Sequence, residues 1–419
     1  MRIVAAAFLA LCFAPSALAW TPISTVVVPN TMRPSAILAH DGTELVAYSD
    51  GTSNLKVWSG TTGDHTVASG LLSVGRPALL QLPGALELYA PATTAGFAQQ
   101  GVLRWESTND GQSWTGPVQT SSPNLGDVEG AAVRTDGTPM FTQDSTFGIQ
   151  VYQGLNGELS HQAFSGCCGY AESLAVDTSN YAQLAFWSNA NSFPNEFVYE
   201  GLDGTGAQAG PGRAFGAPQT APRDDNVPLV ADGLGNTFMA WAGGYPTATS
   251  LAVNTFRGGN LVYSVVAAGG MFAGGDPHMA LAVDSANRLW TVWSQGNAVH
   301  ARRSRSAAHH FGAPSAAGLA EATVYQLSAI ALRSGKVDVF INDGHELSRQ
   351  QLLPGLTVSA SRTKATVLDD GFGVKATLKG GGHTVVTTAA GKASLTTFKK
   401  GTRVAVTAAG YTAASFKVP

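Results

Sequence analysis

Apolar and polar residues alternate along residues 277–295 in a way that predicts two antiparallel β-strands joined by a tight turn. Every second residue of the first strand is large and apolar, and a polar turn containing Asp284 follows it. The returning strand is apolar and ends near Trp293. This hairpin is the clearest local pattern in the chain, and the rest of the sequence is interpreted against it.

Six further copies of the hairpin occur along the chain, at residues 35–50, 78–91, 131–145, 173–189, 228–244 and 328–343. Successive turns lie 41 to 55 residues apart. A period of this length with several short strands in each unit is typical of a β-propeller. The sequence therefore predicts an all-β fold with seven blades. Six blades result if the weak copies at 78–91 and 328–343 are irregular insertions.

The two ends of the repeat region predict how the ring closes. Residues 23–28 form a β-branched run directly before the first repeat, and the last repeat, which ends near Leu353, lacks a fourth strand. We therefore expect the N-terminal run to supply the outer strand of the last blade. This arrangement closes the ring and leaves no open sheet edge.

The N-terminus has the features of a secretory signal. Arg2 precedes a short apolar segment, and Ala17-Leu18-Ala19 is a cleavage motif of the A-x-A type. The apolar segment is too short for a permanent transmembrane helix. We predict a signal peptide at 1–19, a propeller at 20–354 and a second domain at 355–419, in a protein secreted from the cell.

Composition narrows the range of partners. Charged residues make up 13% of the chain, Gly accounts for 49 of 419 residues, and the net charge is −3. This balance argues against nucleic acid, because no basic surface to neutralise phosphates is evident. A basic cluster at Arg302, Arg303, Arg305, His309 and His310 is interpreted as a solvated strand edge or loop. We expect a monomer without a cofactor.

Two cysteines remain once the signal peptide, with Cys12, is removed. They are the adjacent Cys167 and Cys168. Under the oxidising conditions that exported proteins meet, they form either a vicinal disulfide or two unpaired thiols in a loop. The spacing argues against a zinc site, because no second cysteine pair exists.

Polar residues collect at the start of the inner strand of every blade, seven or eight residues before each turn. They are Arg33, Arg76, Glu129, Tyr170 with Glu172, Asp225 with Asn226, Asp276 with His278, and Tyr325 with Gln326. The loops that join second and third strands add Asp50, Asp144, Asn189, Tyr245, Asp343 and His345. In a propeller these positions meet at one mouth of the central channel. The recurring turn aspartates lie at the opposite end, where Asp accepts backbone N–H groups.

The residue types at this mouth suit a carbohydrate, including an acidic one. Arginine binds carboxylates, Asp and Asn bind hydroxyl groups, and aromatic rings stack on sugar faces. The alternative is that polar side chains simply cap a water-filled funnel. The first functional hypothesis is therefore a secreted propeller that binds glycans without catalysis.

Residues 107–114, STNDGQSW, resemble the Asp-box S-x-D-x-G-x-x-W of sialidase-like propellers, with Asn109 in place of the usual Asp. In that family the box is a β-turn whose Trp packs between strands, away from the active site. The resemblance implies a glycoside hydrolase, with roles for Arg33, Arg76, Tyr325, Glu172 and Asp50. No third mouth arginine is present, however, and sialidases have six blades.

A third hypothesis is a polysaccharide lyase on a seven-bladed propeller. That chemistry needs a group that neutralises the substrate carboxylate and a base that removes a proton. Arg76 would neutralise the carboxylate, and Tyr170 or His278 would act as the base. Binding, hydrolysis and lysis stay open at this point.

The composition changes after Leu356. Aromatic residues become rare, Thr, Ala, Val and Lys dominate, and Gly separates short strands. Residues 387–393 and 401–411 resemble the prealbumin-like or Ig-like modules appended to secreted bacterial proteins. The resemblance implies a small β-sandwich that serves as a spacer or an attachment module.

Overall fold

The computed structural model of the protein describes residues 18–20, 24–26, 32–50, 53–95, 100–145, 148–165, 169–190, 193–209, 212–215, 227–244, 247–269, 278–296, 298–306, 311–312, 315, 318, 324, 326–332, 335–343, 346–369 and 372–419. They form two compact units, Trp20–Leu352 and Leu353–Pro419, with Leu18 and Ala19 grouped with the second. All regular elements in these ranges are strands. None of the described residues forms a helix long and apolar enough to cross a membrane.

Seven antiparallel sheets make up the first unit. Its first half contains β1 (Ala19–Trp20), β2 (Ser24–Val26), β3 (Met32–Leu38), β4 (Glu44–Ser49), β5 (Leu55–Ser59), β6 (Gly63–Ala68), β7 (Ser73–Val74), β8 (Ala78–Leu82), β9 (Ala85–Thr93), β10 (Gln100–Ser107), β11 (Thr115–Gln119), β12 (Val128–Val133), β13 (Pro139–Ser145), β14 (Gly148–Gln153) and β15 (Leu159–Ser165).

Its second half contains β16 (Gly169–Val176), β17 (Ala182–Ala190), β18 (Phe193–Leu202), β19 (Arg213–Phe215), β20 (Leu229–Ala231), β21 (Asn236–Gly243), β22 (Ser250–Arg257), β23 (Asn260–Gly269), β24 (Met279–Val283), β25 (Arg288–Gln295), β26 (Ala298–Ser306), β27 (Gln326–Ala331), β28 (Val337–Asn342) and β29 (Leu347–Leu353).

The inner strands form a closed ring. Each of β3, β8, β12, β16, β20, β24 and β27 contacts the next, and β27 returns to contact β3. Each begins one sheet, and the second and third strands follow it outward. The prediction of a seven-bladed β-propeller is confirmed, and the weak copies at 78–91 and 328–343 are blades two and seven.

The N-terminal strand closes the ring as predicted. Strand β2 pairs antiparallel with β29 of the last blade, with Thr25 opposite Ser348. The strand spans Ser24–Val26 of the predicted run 23–28. The last blade therefore joins both ends of the propeller chain, and the outer side of β29 is not left as an open edge.

Blade interfaces explain the long apolar runs of the second strands. All six residues of β4 are buried, because both faces of the strand pack against neighbouring blades. One apolar cluster joins blades five and six and includes Trp293, which is 3% exposed. The ring of Phe141 stacks on Tyr152 of its own blade, with centroids 4.9 Å apart, and packs at a tilt against Tyr89 of blade two, 5.1 Å away. Aromatic residues thus serve mainly to pack blades together.

The turn aspartates have the predicted structural role. Asp177, Asp232 and Asp284 each accept two backbone N–H groups, from the residues two and four positions later. These bonds satisfy the donors of the turn between inner and second strands. The recurrence of Asp is therefore explained by turn formation.

The basic cluster near residue 302 differs from its sequence interpretation. Arg303 is 4% exposed, and its guanidinium lies 5.2 Å from the ring centroid of Trp290. Arg302 is half-buried and donates to the carbonyl of Ala267 in the neighbouring blade. Arg303 therefore packs on a tryptophan of its own sheet, and Arg302 reaches the adjacent blade, because a long side chain on a blade edge can extend to the next sheet.

The turn at residues 107–114 joins β10 to β11. The Ser107 hydroxyl accepts the Gly111 N–H at 2.9 Å, and the Asn109 side-chain oxygen accepts the Ser113 N–H at 3.0 Å. The Trp114 indole donates to the Gly111 carbonyl, and its ring packs against the apolar cluster of blades one and two. The octet is a self-contained turn anchored by its tryptophan.

The second unit contains two four-stranded sheets. Its strands are β30 (Thr357–Ala360), β31 (Lys364–Asp369), β32 (Phe372–Gly373), β33 (Thr377–Gly380), β34 (His383–Val386), β35 (Lys392–Ser394), β36 (Arg403–Thr407) and β37 (Ala414–Lys417). One sheet holds β30, β31, β32 and β35, and the other has the order β34-β33-β36-β37. Residues of both sheets share one apolar core that includes Val367, Leu378 and Val404, as expected for a β-sandwich.

Candidate functional site

The inner strands of the first four blades are irregular at the same level. The pairing register shifts between Met32 and Ser35, between Val128 and Ala131, and between Tyr170 and Ser173. In blade two the inner strand is split, so that β7 and β8 pair separately with β9. Bulges and breaks re-aim side chains at the end of a strand. Four predicted residues, Arg33, Arg76, Glu129 and Glu172, lie in these four irregularities.

An ion pair joins blades two and three at the mouth. Arg76 Nη1 lies 2.7 Å from Glu129 Oε2, and both side chains are less than 10% exposed. The backbone N–H of Arg76 donates to Asp127 at 2.8 Å. The carboxylate of Glu129 therefore balances the guanidinium charge, and the carboxylate of Asp127 binds the backbone N–H of the same arginine. Because the pair is buried, removal of either partner would leave an uncompensated charge.

Glu172 is a fully buried carboxyl beside that pair. Neither of its oxygens accepts a hydrogen bond from a donor in another described residue. Its pKa lies well above the usual value, first because of burial, then because of a side-chain hydrogen bond with Asp144 and the charges of Asp144 and Glu129. Two carboxyl groups can hydrogen bond to each other only when one carries the proton. Burial and the neighbouring carboxyl groups therefore favour the protonated form of Glu172 over the ionised form.

Backbone strain accompanies this placement. Ala171, directly before Glu172, has a φ of 62°, which costs a residue with a side chain about 1–2 kcal/mol. The Val227 N–H of the next blade donates to the Ala171 carbonyl at 2.8 Å. The bulge therefore turns Glu172 into the space between blades three and four, while Ala171 is held from blade five.

Tyr170 provides an exposed aromatic ring at the same end of β16. The side chain is 45% exposed and stacks on Trp187 of the adjacent strand, with centroids 6.0 Å apart and an angle of 25°. The supporting Trp187 is 7% exposed. The arrangement offers one ring to solvent on a rigid base, as required for stacking on a sugar.

The central channel is a cavity of about 310 Å³. All seven inner strands line it, mostly through small and apolar side chains such as Ser35, Ala131, Ser173 and Met279. Arg76, Glu129 and Gln326 are the polar residues with long side chains in its lining. Its size is near the lower limit for small-ligand sites, so that a larger ligand would lie mostly above the channel.

The remaining predicted residues are placed as follows. Arg33 lies in β3, but the structure describes only its backbone. His278 is half-buried beside the channel residue Met279, and its backbone pairs with Ser294. Tyr170, Glu172 and His278 do not line the channel. Several predicted residues lie outside the described ranges, namely Asp225, Asn226, Asp276, Tyr325, Tyr245, His345, Cys167 and Cys168.

Two predicted loop residues stabilise their own turns. Asp50 accepts hydrogen bonds from the backbone and the side chain of Asn54, at 3.1 and 2.5 Å. Asp343 accepts the Glu346 N–H at 2.7 Å. Asn189 is exposed at the end of β17. Of the predicted loop residues that the structure describes, Asp144 is the one that joins the carboxyl group cluster.

Sequence reasoning missed Asp127. It lies two residues before Glu129, and alternation along a strand places side chains two apart on the same face. That spacing was a usable signal, since Glu129 was already a candidate. No group of three or more His, Cys, Asp or Glu side chains in the described ranges could hold a metal ion.

Comparisons with known proteins give the fold alone. No protein-family model matches the chain, and no curated protein matches it. The structure is similar to virginiamycin B lyase from Staphylococcus aureus, with a TM-score of 0.50, 11% identity, and 80% of this chain and 99% of that chain covered. It is also similar to an α-L-arabinanase from Penicillium chrysogenum, with a TM-score of 0.45, 11% identity and coverages of 80% and 98%.

A third solved structure is the α-L-arabinofuranosidase Arb93A from Fusarium graminearum, with a TM-score of 0.45, 10% identity and coverages of 79% and 97%. Of these similarities, the one to the lyase supports the β-propeller fold. At these identities they do not transfer a substrate or a reaction to this chain.

Proposed function

We propose that the mouth formed by blades two, three and four binds a neutral carbohydrate. The observation that carries this proposal is the Arg76–Glu129 pair at the channel rim. The carboxylate of Glu129 balances the charge of Arg76. A ligand would therefore meet hydrogen-bond donors of the guanidinium and little net positive charge. With Asp127 and Asp144 nearby, the described groups favour sugar hydroxyls and disfavour a ligand carboxylate.

The exposed ring of Tyr170 supplies the second part of the proposed site. Stacking of a sugar face on an aromatic ring contributes about 1 kcal/mol, or roughly five-fold in affinity. Because Tyr170 is 45% exposed, truncation of its side chain leaves less unfilled space than the loss of a core residue would. A variant at Tyr170 can therefore lose ligand affinity while the protein remains folded.

The test is a binding measurement with neutral and uronic-acid-containing oligosaccharides on a glycan array, followed by calorimetry. We expect saturable binding of a neutral oligosaccharide and a loss of roughly five-fold in Tyr170→Ala. Phe372→Ala is the matched control, because Phe372 is an exposed aromatic residue of the other unit. Equal losses in both variants, or binding only of acidic oligosaccharides, would refute the proposal.

A second candidate function is hydrolysis of a neutral glycoside. It is favoured by the raised pKa of Glu172, which lies near the carboxyl group of Asp144, since glycosidases use one protonated and one ionised carboxyl group. Asp144 is the half-buried member and would face the ligand. Release of nitrophenol from a panel of neutral aryl glycosides, abolished by Asp144→Asn, would support it. If the protein binds these glycosides but releases no nitrophenol from any of them, the mouth serves binding and not hydrolysis.

The sialidase-like and lyase hypotheses receive less support. Both require an arginine that engages a substrate carboxylate, whereas Arg76 is already paired with Glu129. A sialoside or a polyuronate that is cleaved, with loss of cleavage in Arg76→Ala, would restore them.

We further propose that residues 1–19 are a secretory signal and that the second unit, an Ig-like or prealbumin-like module, serves attachment. Mass spectrometry of the protein from culture medium is expected to show a chain that begins at Trp20. A chain that retains residues 1–19 would contradict the first part.

A further inference from the structure

The second unit carries an unusual charge. Residues 353–419 contain nine Lys and Arg residues and two Asp residues, a net charge of +7. Because the whole chain carries −3, the remaining residues carry −10. The near-neutral total therefore conceals a strongly basic unit. Among the described residues of this unit, the one acidic residue is Asp369, which is 2% exposed and accepts the Tyr411 hydroxyl.

The cations are concentrated on the outer face of the sheet β34-β33-β36-β37. In β36 the burial alternates, so that Val404 and Val406 face the core and Arg403, Ala405 and Thr407 face solvent. Arg403 lies directly opposite Lys417 of β37. Lys379 of β33 lies opposite Ala405, one diagonal step from Arg403. Three exposed cations thus occupy adjacent positions on three neighbouring strands.

The turn before β36 extends the same basic face. Lys399 and Lys400 are exposed directly before Gly401, and a Cβ at Gly401 would lie 3.9 Å from the Lys417 side chain. Like charges directly opposite each other in a sheet destabilise it by a few tenths of a kcal/mol or more. No carboxylate of the described residues lies on these strands to offset this repulsion. The arrangement is therefore stabilised when an anionic ligand lies on it.

The neighbouring side chains indicate what type of anion fits. The exposed positions between the cations are small or hydroxyl-bearing: Thr384, Ala405, Thr407 and Ser415, with one exposed valine, Val386. No Trp, Tyr or Phe in these strands is exposed, which disfavours stacking of nucleic-acid bases. A single valine provides little apolar area for insertion into a lipid surface.

We propose that the outer face of β34-β33-β36-β37 binds an anionic polysaccharide. The carboxylate, sulfate or phosphate groups of the chain would pair with Lys379, Arg403 and Lys417, and its hydroxyls with the intervening Thr and Ser side chains. This proposal is independent of the carbohydrate proposed at the propeller mouth, because it rests on a different unit and on opposite ligand charge.

The test uses the full-length protein with polygalacturonate, a sulfated dextran and uncharged dextran, at low and at physiological salt. Lys417→Glu is expected to weaken binding of both polyanions roughly ten-fold at low salt. The same change should leave thermal stability equal or higher, because the new carboxylate lies opposite Arg403. Lys392→Glu is the control, since Lys392 is exposed on the other sheet and the change in net charge is identical.

Specific outcomes overturn the proposal. An equal loss of polyanion affinity in Lys417→Glu and Lys392→Glu would show that only the net charge of the protein matters, and not this face. Tighter binding of duplex DNA or of phosphatidylglycerol vesicles than of either polyanion would assign the face to those ligands. Self-association that Lys417→Glu abolishes would assign it to a second copy of the chain. Binding of uncharged dextran that is as tight as that of the polyanions would remove the electrostatic basis.

Discussion

Replacement of Glu172 by glutamine tests the carboxyl pair at the mouth of the propeller. Glutamine keeps the shape of the side chain and can donate to Asp144 at every pH. The folded protein raises the pKa of Glu172 well above its usual value of 4.5, mainly by burial and then through Asp144. Between these two pKa values the folded state therefore binds one proton more than the unfolded state.

The sign and the size of the effect follow from this extra proton. Where the folded state binds more protons, stability falls as the pH rises, by at most about 1.4 kcal/mol per pH unit for one group. The glutamine side chain in the Glu172→Gln variant does not titrate, so the variant lacks this loss. Its stability relative to the parent protein should rise with pH above 4.5, by at most about 1.4 kcal/mol per pH unit, until the raised pKa of Glu172 is passed. Below pH 4.5 the two proteins should differ by less than about 1 kcal/mol.

Urea unfolding followed by tryptophan fluorescence measures this difference. All eight tryptophans lie between residues 20 and 293, so the signal reports the propeller and not the second unit. Asp144→Asn is the companion variant: it removes one cause of the raised pKa but leaves burial, so the fall in stability should cover a narrower pH range. A difference between Glu172→Gln and the parent that is constant from pH 5 to pH 8 would refute the raised pKa of Glu172.

Three further changes test other parts of the propeller. Glu200 is 1% exposed and its pKa is raised to about 8 by burial, so Glu200→Gln should stabilise the protein by a few kcal/mol at pH 8 and not at pH 4; no gain in the urea midpoint at pH 8 would contradict this. Arg349 lies 2.6 Å from Glu44 and 2.8 Å from Asp338, between blades one and seven. Arg349→Met should therefore cost about 3–5 kcal/mol at pH 9, and less at pH 5, because the pKa of Glu44 is about 8 and a protonated Glu44 can donate to Asp338; a loss independent of pH would argue against this pairing. A Cβ at Gly130 would lie 2.9 Å from a backbone nitrogen of the next blade, so Gly130→Ala should cost about 1–3 kcal/mol and weaken glycan binding in calorimetry; unchanged binding would show that the spacing of blades three and four does not control the site.

The blade architecture follows from local features of the sequence. Alternation over five to nine residues, a turn aspartate and a repeat of 41 to 55 residues predicted the strands, the seven blades and the closing strand. These features are readable because a strand's pairing partner is the next strand in the chain. The basic face of the second unit was missed, because the net charge of the whole chain averages a positive and a negative unit.

The chemistry at the mouth was only partly readable. Sequence counting placed Arg76, Glu129 and Glu172 at the ends of inner strands, but it did not show that Arg76 is paired or that Glu172 is fully buried. Those properties arise where residues distant in the chain meet across blade interfaces.

The sequence by itself therefore determined where the inner strands and their turns lie, because hairpin alternation and turn position are local. Only the tertiary structure decided which charges neutralise each other and which carboxyl group has a raised pKa. Burial and the distance between charges depend on how adjacent blades pack, and the bulge at Ala171 that turns Glu172 inward leaves no clear mark in the local pattern.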